Sequence, residues 1–342
     1  MLVLSMFYTI FVPMSNAFIP DASQELVLNL TEGFHLVLAP PGCGKTQILA
    51  ERLKKACEAG VPFSEMLCLT FTNRAARSMQ ERALPMLSQT DEAPFMGNVH
   101  RFCSHFLFEK RLISAATSVV SDDDLLSILC GFTGEDENAV AANPRRKSMY
   151  MEVMFLEHLL FQIETKQPKA LRLHPDCLNR EDIMALRALC KAAQQEFTPA
   201  TLLDIYAHTD VYSEYTFDAG TQVLVGRLLQ KMRLAWQYRR YKKENLLIDF
   251  EDILLLAYEN RDLLPRYSWI QVDEVQDLNP LQLAIIDALT ADDGAGKPCV
   301  LYLGDPQQSI FSFMGAKLST LEFLRQRCAG QVHTLSYNHR SP

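Results

Sequence analysis

The sequence predicts an α/β fold: a parallel sheet with helices on both faces, interrupted by an all-helical insertion. Three observations carry this expectation. Short β-favouring runs are continuously apolar rather than alternating, as strands covered on both faces are. Helical segments separate those runs, the alternation of a doubly wound sheet, whose ligands lie at the carboxyl ends of its strands. From about 113 to 245, helical periodicity continues with no convincing strand.

The chain begins with an apolar stretch, "MLVLSMFYTIFV", that lacks a positive leader region and is too short to span a bilayer. "SNA" at 15–17 could pass as a cleavage site and Met14 as an alternative start, so residues 1–18 are set apart as an N-terminal extension. Strands follow at "FHLVLAP" (34–40), "MLCLTFTN" (66–73), "WIQVDE" (269–274) and "CVLYLGD" (299–305), with a fifth at "HTLSYN" (333–338). "TQILAERLKKAC", "RAARSMQERAL" and "LQLAIIDAL" supply the helices after the first three. Residues 19–112 and 246–335 thus form one discontinuous α/β domain, and 113–245 the helical insertion. In the insertion's last helix, Val225, Leu228, Leu229, Met232 and Trp236 mark one apolar face. Arg227, Lys231, Arg233, Arg239, Arg240, Lys242 and Lys243 occupy its other positions and read as a solvated basic face, with phosphate contact the alternative.

A length of 342 residues suits two domains, and 48% hydrophobic with 22% charged residues suits a globular core. The net charge of −8 excludes a protein coated in positive charge but not a local nucleic-acid groove. Nine cysteines, none spaced C-x-x-C, suggest neither a disulfide framework nor zinc, and read as reduced thiols in a cytoplasm.

The chemistry starts at "LVLAPPGCGKT", Leu36 to Thr46, which fits Gly-x-x-x-x-Gly-Lys-Thr except for Ala39 at its first position. In such a loop successive backbone N–H groups make a concave anion site, and the helix that follows adds its positive end. Pro40 and Pro41 stiffen the approach without donating, whereas Gly42, Cys43 and Gly44 still can. Lys45 would reach the β- and γ-phosphates of a nucleotide, and the Thr46 hydroxyl would ligate Mg²⁺. An acid pair at a strand end, in "WIQVDEVQD", supplies the second half: Asp273 to hold Mg²⁺ and Glu274 to orient and deprotonate water. A third element is "LYLGDPQQSIFSFMGA" (301–316), where Gln308 can sense the γ-phosphate. Phe311 and Phe313 beside it are either core aromatics or a surface on which unpaired bases stack.

Together these residues resemble the first part of a UvrD/Rep/PcrA-type superfamily 1 DNA helicase, whose motor is a P-loop NTPase (RecA-like) domain. The motifs run in that family's order: "ASQ" near 24, "APPGCGKT", "TFTNRAARSM" (70–79), "NVHRFC" (98–103), "IDFEDIL" (248–254), "VDEVQD" (272–277), "GDPQQSIFSFMGA" (304–316) and "YNHRSP" (337–342). The resemblance implies ATP and Mg²⁺ as cofactors, with Gln24 on the adenine edge and Arg340 approaching the γ-phosphate. It also implies that Phe71, Thr72, Asn73, His100, Phe311 and Phe313 contact single-stranded DNA, or a single-strand/duplex junction, and that movement is 3′→5′. Residues 336–342 would begin a second motor domain missing from the chain, so that 1–342 alone would have weak or no turnover.

The chain departs from the family pattern in places. Asn98-Val99-His100 stands where Thr-Phe-His is usual, and His339 where a tyrosine stacks on adenine. Gln47 replaces an arginine after the lysine–threonine pair, Phe313 a tryptophan, and Met314 the arginine beside it. Two further readings stay open: an ATP-gated, non-translocating DNA-binding partner subunit, and the helicase part of a helicase–nuclease. A small-molecule kinase is disfavoured by Gln308 and the aromatic pair.

Overall fold

The apolar runs become strands because helices cover both sides of each. The computed structural model describes residues 18–87, 93–168, 171, 178–290, 297–305 and 316–338. In chain order the elements are α1 (Ala22–Leu28), β1 (Gly33–Leu38), α2 (Lys45–Glu58), β2 (Met66–Thr70), α3 (Asn73–Ala83), β3 (Phe95–Asn98) and α4 (Val99–Glu109). Then come β4 (Ser118–Val119), α5 (Asp122–Thr133), α6 (Glu137–Ala141), α7 (Pro144–Glu164), α8 (Arg180–Ala192), α9 (Pro199–Ala207), α10 (Thr209–Tyr212) and α11 (Ala219–Glu244). The last are β5 (Leu247–Ile248), α12 (Phe250–Glu259), β6 (Trp269–Val272), α13 (Pro280–Leu289), β7 (Cys299–Gly304), α14 (Ala316–Arg327) and β8 (Val332–Thr334).

Six strands form one sheet in the order β3-β2-β6-β7-β1-β8, all pairs parallel. Neighbouring residues of one strand serve opposite cores. Leu67 and Leu69 join the cluster under α4, α12, α13 and α14, while Met66 and Cys68 join the one under α1, α2 and α3. Each strand ends before the polar tail of its run, so Phe71–Asn73, Asp273–Glu274 and Asp305 leave the sheet at its carboxyl edge. That is where a doubly wound sheet binds ligands.

Arg52 of α2 is fully buried and ties the layers together. Its Nε donates to Gln271 Oε1 at 3.1 Å and its Nη2 to Cys299 Sγ at 3.2 Å, and Nη1 donates to the Val27 carbonyl. The guanidinium also lies 4.8 Å from the Trp269 ring centre. These partners are neutral, so hydrogen bonds and the ring quadrupole carry the charge's desolvation, and burial draws its pKa down.

The helices between Val120 and Leu247 pack around a core of their own, centred on α5, α7, α8 and α11. Two strands of two residues close its base: β4 pairs parallel with β5, Ser118 beside Leu247 and Val119 beside Ile248. The sequence showed no strand there, because two residues carry no periodic signal.

The basic face of α11 is not uniformly solvated. Lys231 is 6% exposed and Lys242 4%. Lys231 Nζ meets Asp182 at 2.6 Å and Glu152 at 2.8 Å. Lys242 Nζ meets Asp252 at 2.6 Å, Asp249 at 2.7 Å and Glu157 at 3.5 Å. Trp236, expected on the apolar face, is 49% exposed, with the Arg240 guanidinium 5.6 Å from its ring centre. No helix among the described residues is long and apolar enough to cross a membrane.

Candidate active site

The loop from Ala39 to Gly44 turns the chain from β1 into α2. Ala39 is fully buried and its N–H donates to the Gly304 carbonyl at 2.9 Å, so the position is held inside the sheet and a small side chain suffices. Gly44 caps α2 with φ 76°, a left-handed conformation that a Cβ would strain. Gln24 closes the loop from α1: its Nε2 donates to the Cys43 carbonyl at 3.1 Å, and its Oε1 accepts from the Asp21 N–H at 3.0 Å. The Cys43 thiol is buried and burial raises its pKa. Gln47 donates to Glu51 at 3.0 Å along α2.

Lys45 begins α2 beside the ends of β6 and β7. Its Nζ lies 3.5 Å from Glu274 Oε1 and 3.9 Å from Asp305 Oδ2. Asp273 sits at the end of β6, 5% exposed. Burial, with Glu274 next to it, pushes the Asp273 carboxyl up to about 7. Glu274 adopts φ 54°, strained for a residue with a side chain, and its N–H donates to Asp273 Oδ1 at 2.9 Å. Gln276 holds the pair to the next strand: its Nε2 donates to Glu274 Oε2 at 2.7 Å and its Oε1 accepts from the Asp305 N–H at 3.1 Å. A Cβ at Gly304 would come within 2.9 Å of Val275, so only glycine lets β7 approach this loop.

Lys45, Asp273 and Glu274 therefore converge, with the Thr46 backbone one residue further along α2. Asp305 and Gln276 join them. Sequence reading gave these two no role, although an acid directly after a buried strand is the same signal that marked Asp273. Gln308, Phe311, Phe313, His339 and Arg340 lie outside the described residues.

The carboxyl ends of β2 and β3 form a second surface next to the first. Phe71 is 42% exposed, and Thr72 and Asn73 are exposed beside it. Thr72 caps α3 by accepting from the Ala75 N–H at 3.1 Å. Asn98 caps α4 and donates to Asn73 Oδ1 at 2.9 Å, linking the two strand ends. His100 lies edge-to-face with Phe250, ring centres 5.6 Å apart, and burial lowers its pKa.

The comparison with known families is decided by extent: the model of the UvrD/REP helicase N-terminal domain matches residues 21–329. The chain belongs to this family. It is 22% identical over 342 residues to a probable DNA helicase II homolog of Mycoplasma capricolum, 25% over 331 residues to the ATP-dependent DNA helicase PcrA of Staphylococcus aureus, and 27% over 334 residues to the putative ATP-dependent DNA helicase YjcD of Bacillus subtilis. Each match covers 94% of this chain but only 39%, 38% and 36% of those relatives. The six-stranded parallel sheet is the fold expected of a UvrD-type RecA-like helicase domain.

A third polar group in this helicase-family chain escaped the sequence. Glu157, His158, Asp249 and Asp252 bring their ligand-type atoms within 4.8 Å of one another. The Lys242 ammonium already sits among them, so the cluster carries its own cation. His158 Nε2 lies 2.9 Å from Asp249 Oδ1, and the Tyr238 hydroxyl donates to Asp249 Oδ2 at 3.1 Å. Asp249 and Asp252 also form the capping box of α12, so the group fastens α7 and α11 to the start of α12.

Proposed function

We propose that this chain is the ATP-binding half of a DNA helicase motor. It would bind ATP–Mg²⁺ and single-stranded DNA and, with a second motor domain, couple hydrolysis to 3′→5′ movement and unwinding in the cytoplasm. The observation that carries the reading is the Lys45 ammonium shared between Glu274 and Asp305 at the ends of adjacent strands, with buried Asp273 beside them. Family membership supports the substrate class.

Each residue has work suited to its place. The N–H groups of the 42–44 loop and the start of α2 would receive the phosphates, and Lys45 would exchange its carboxylate partners for phosphate oxygens. The buried Asp273 carboxyl and the Thr46 hydroxyl are oxygen donors of the kind that suit a hard divalent cation. When bound, Mg²⁺ would neutralise charge on the transferring phosphoryl group. Glu274, oriented by Gln276 and by its own strained backbone, would align a water and accept its proton. Gln308 and Arg340 would complete the γ-phosphate contacts, and Gln24 and His339 would receive adenine. Phe71, Thr72, Asn73, His100, Phe311 and Phe313 would meet the DNA.

The test is steady-state ATP hydrolysis by residues 1–342, with and without oligo-dT, beside Lys45→Ala. Nucleotide binding that vanishes in Lys45→Ala is expected, with weak turnover at most. Binding unchanged in that variant would overturn the assignment of the loop.

A further inference from the structure

His35 of β1 and His333 of β8 stand 298 positions apart, yet their rings meet. His333 pairs in register with Val37, two positions after His35, so both histidines point to the same face of the sheet. Nδ1 of His35 lies 3.2 Å from Nε2 of His333, with the ring centres 5.3 Å apart and the planes tilted by 47°. Neither ring has a part in the nucleotide or DNA readings. We propose that the two imidazoles are ligands of a transition-metal dication, Zn²⁺ or Cu²⁺, that pins the edge strand β8 to β1.

Three observations carry it. The first is the tautomer of His35. Its Nε2 lies 2.7 Å from the Glu32 carbonyl, which can only accept, so that nitrogen holds the proton. Nδ1 of the neutral ring then keeps its lone pair on the side of His333. A ring N–H given to a backbone carbonyl is the usual support behind a metal-bound histidine. The second is spacing. Two nitrogens bound at about 2.0–2.1 Å to one tetrahedral metal lie about 3.3 Å apart. The observed 3.2 Å is close to that edge and at the long limit of an ordinary hydrogen bond.

The third is availability. His35 is buried and His333 half-buried on the edge strand, so a metal between them is held by rings on one side and reached by water on the other. Burial, then His35 and then the Arg52 guanidinium of α2, lower the His333 pKa, which leaves the ring neutral, as a ligand must be. Metal binding shifts the His333 proton from Nε2 to Nδ1, so both rings stay neutral and no proton is released. The Arg52 charge repels a second cation and makes the site weaker than a closed structural zinc site. Imidazole donors suit zinc and copper rather than magnesium.

The site also has a place in the fold. β8 is three residues long. Just after it, Leu335 donates to the Leu38 carbonyl at 2.9 Å, and its own carbonyl lies 3.7 Å from the Cys43 thiol of the phosphate loop. A metal at His35 and His333 braces the strand against which that loop leans.

The experiment records thermal melts of residues 1–342 across a Zn²⁺ titration, without nucleotide or Mg²⁺, for wild type, His35→Gln and His333→Gln. Glutamine keeps a hydrogen-bonding group at each position and removes the imidazole. With Zn²⁺ at a hundredfold excess over its Kd, the wild-type melting temperature should rise by about 5–11 °C. The rise should at least halve in either variant. Electron paramagnetic resonance with one equivalent of Cu²⁺ reads the ligands directly: coupling to two imidazole nitrogens is expected in wild type and to at most one in the variants. Metal-free melts show whether each variant is folded, and if buried His35 does not tolerate replacement, His333→Gln on the edge strand carries the comparison. No Zn²⁺-dependent rise in wild type overturns the proposal. So does an equal rise in wild type and His333→Gln, which puts the metal elsewhere, or a copper spectrum without nitrogen coupling. The nucleotide and DNA readings stand under each of these results.

Discussion

Replacing Lys242 by methionine tests whether the basic face of α11 is structural. The ammonium lies 2.6 Å from Asp252, 2.7 Å from Asp249 and 3.5 Å from Glu157, and its side chain is 5% exposed. An intact buried ion pair adds little net stability, because desolvation offsets the Coulomb gain, but removing one partner strands the others. That loss is worth about 3–5 kcal/mol. Here it leaves three carboxylates with His158 and Arg239 as their cationic partners among the described residues, Arg239 donating to Glu157 at 2.7 Å. For units of 150–250 residues each kcal/mol moves the melting temperature by about 2–4 °C, so the expected drop is roughly 6–20 °C. Circular dichroism melts of residues 1–342 read it directly. Lys243→Met, one residue on and exposed, should change stability by no more than about 0.5 kcal/mol. Adding Asp252→Asn to Lys242→Met should recover part of the loss, since one stranded charge is then gone. A Lys242→Met chain that melts within 2 °C of wild type would refute the argument and restore the reading of α11 as a solvated helix.

Two further outcomes follow from the buried charges. Burial disfavours a charged His158, but Asp249 at 2.9 Å outweighs it and raises the pKa to about 9. Its contribution is then complete below about pH 6.5 and is lost as pH rises through 9; the gap in melting temperature between wild type and His158→Gln should be widest near pH 6 and shrink towards pH 10, and a gap independent of pH would count against the pairing. Asp273 moves stability in the same direction with pH, but as a cost of its ionised form. With its carboxyl pushed up to about 7, its ionisation costs the folded state nothing below about pH 3.8, increasingly between 3.8 and 7, and fully above 7. Without nucleotide, Asp273→Asn should therefore stabilise the chain by on the order of 1–4 kcal/mol at pH 8 and by less at pH 5, while abolishing the Mg²⁺-dependent part of ATP affinity in a fluorescent-nucleotide titration. Destabilisation at pH 8 would contradict it.

The sheet was legible in the sequence where strands are buried on both faces. β1, β2, β6 and β7 are unbroken apolar runs, and each polar tail that reads as chemistry does leave the sheet at its carboxyl edge. β3 was not legible: "FMGN" is short, contains glycine and lies at the sheet's edge, paired on one side only. The phosphate loop and the acid pair could be read because their chemistry is packed into a few consecutive residues. The Lys242 cluster could not. Its members come from three helices, His158 and Asp249 stand 91 positions apart, and a lysine at a helical polar position looks the same whether water or carboxylates surround it.

The pairing of β4 with β5 bears on how such a chain could arise and fold. Because the two strands are parallel and in register, the chain departs at Ser118 and returns at Leu247 beside its point of departure, heading the same way. The whole helical layer is a detour that leaves the winding order of the sheet unaltered. Material of this kind can be gained, lengthened or exchanged during evolution without rewiring the strands on either side. The entropy of closing so long a loop grows only logarithmically, by about 0.6 kcal/mol for each doubling, so the excursion's length is a weak obstacle to joining its ends. Sheet and detour are then free to collapse around separate cores.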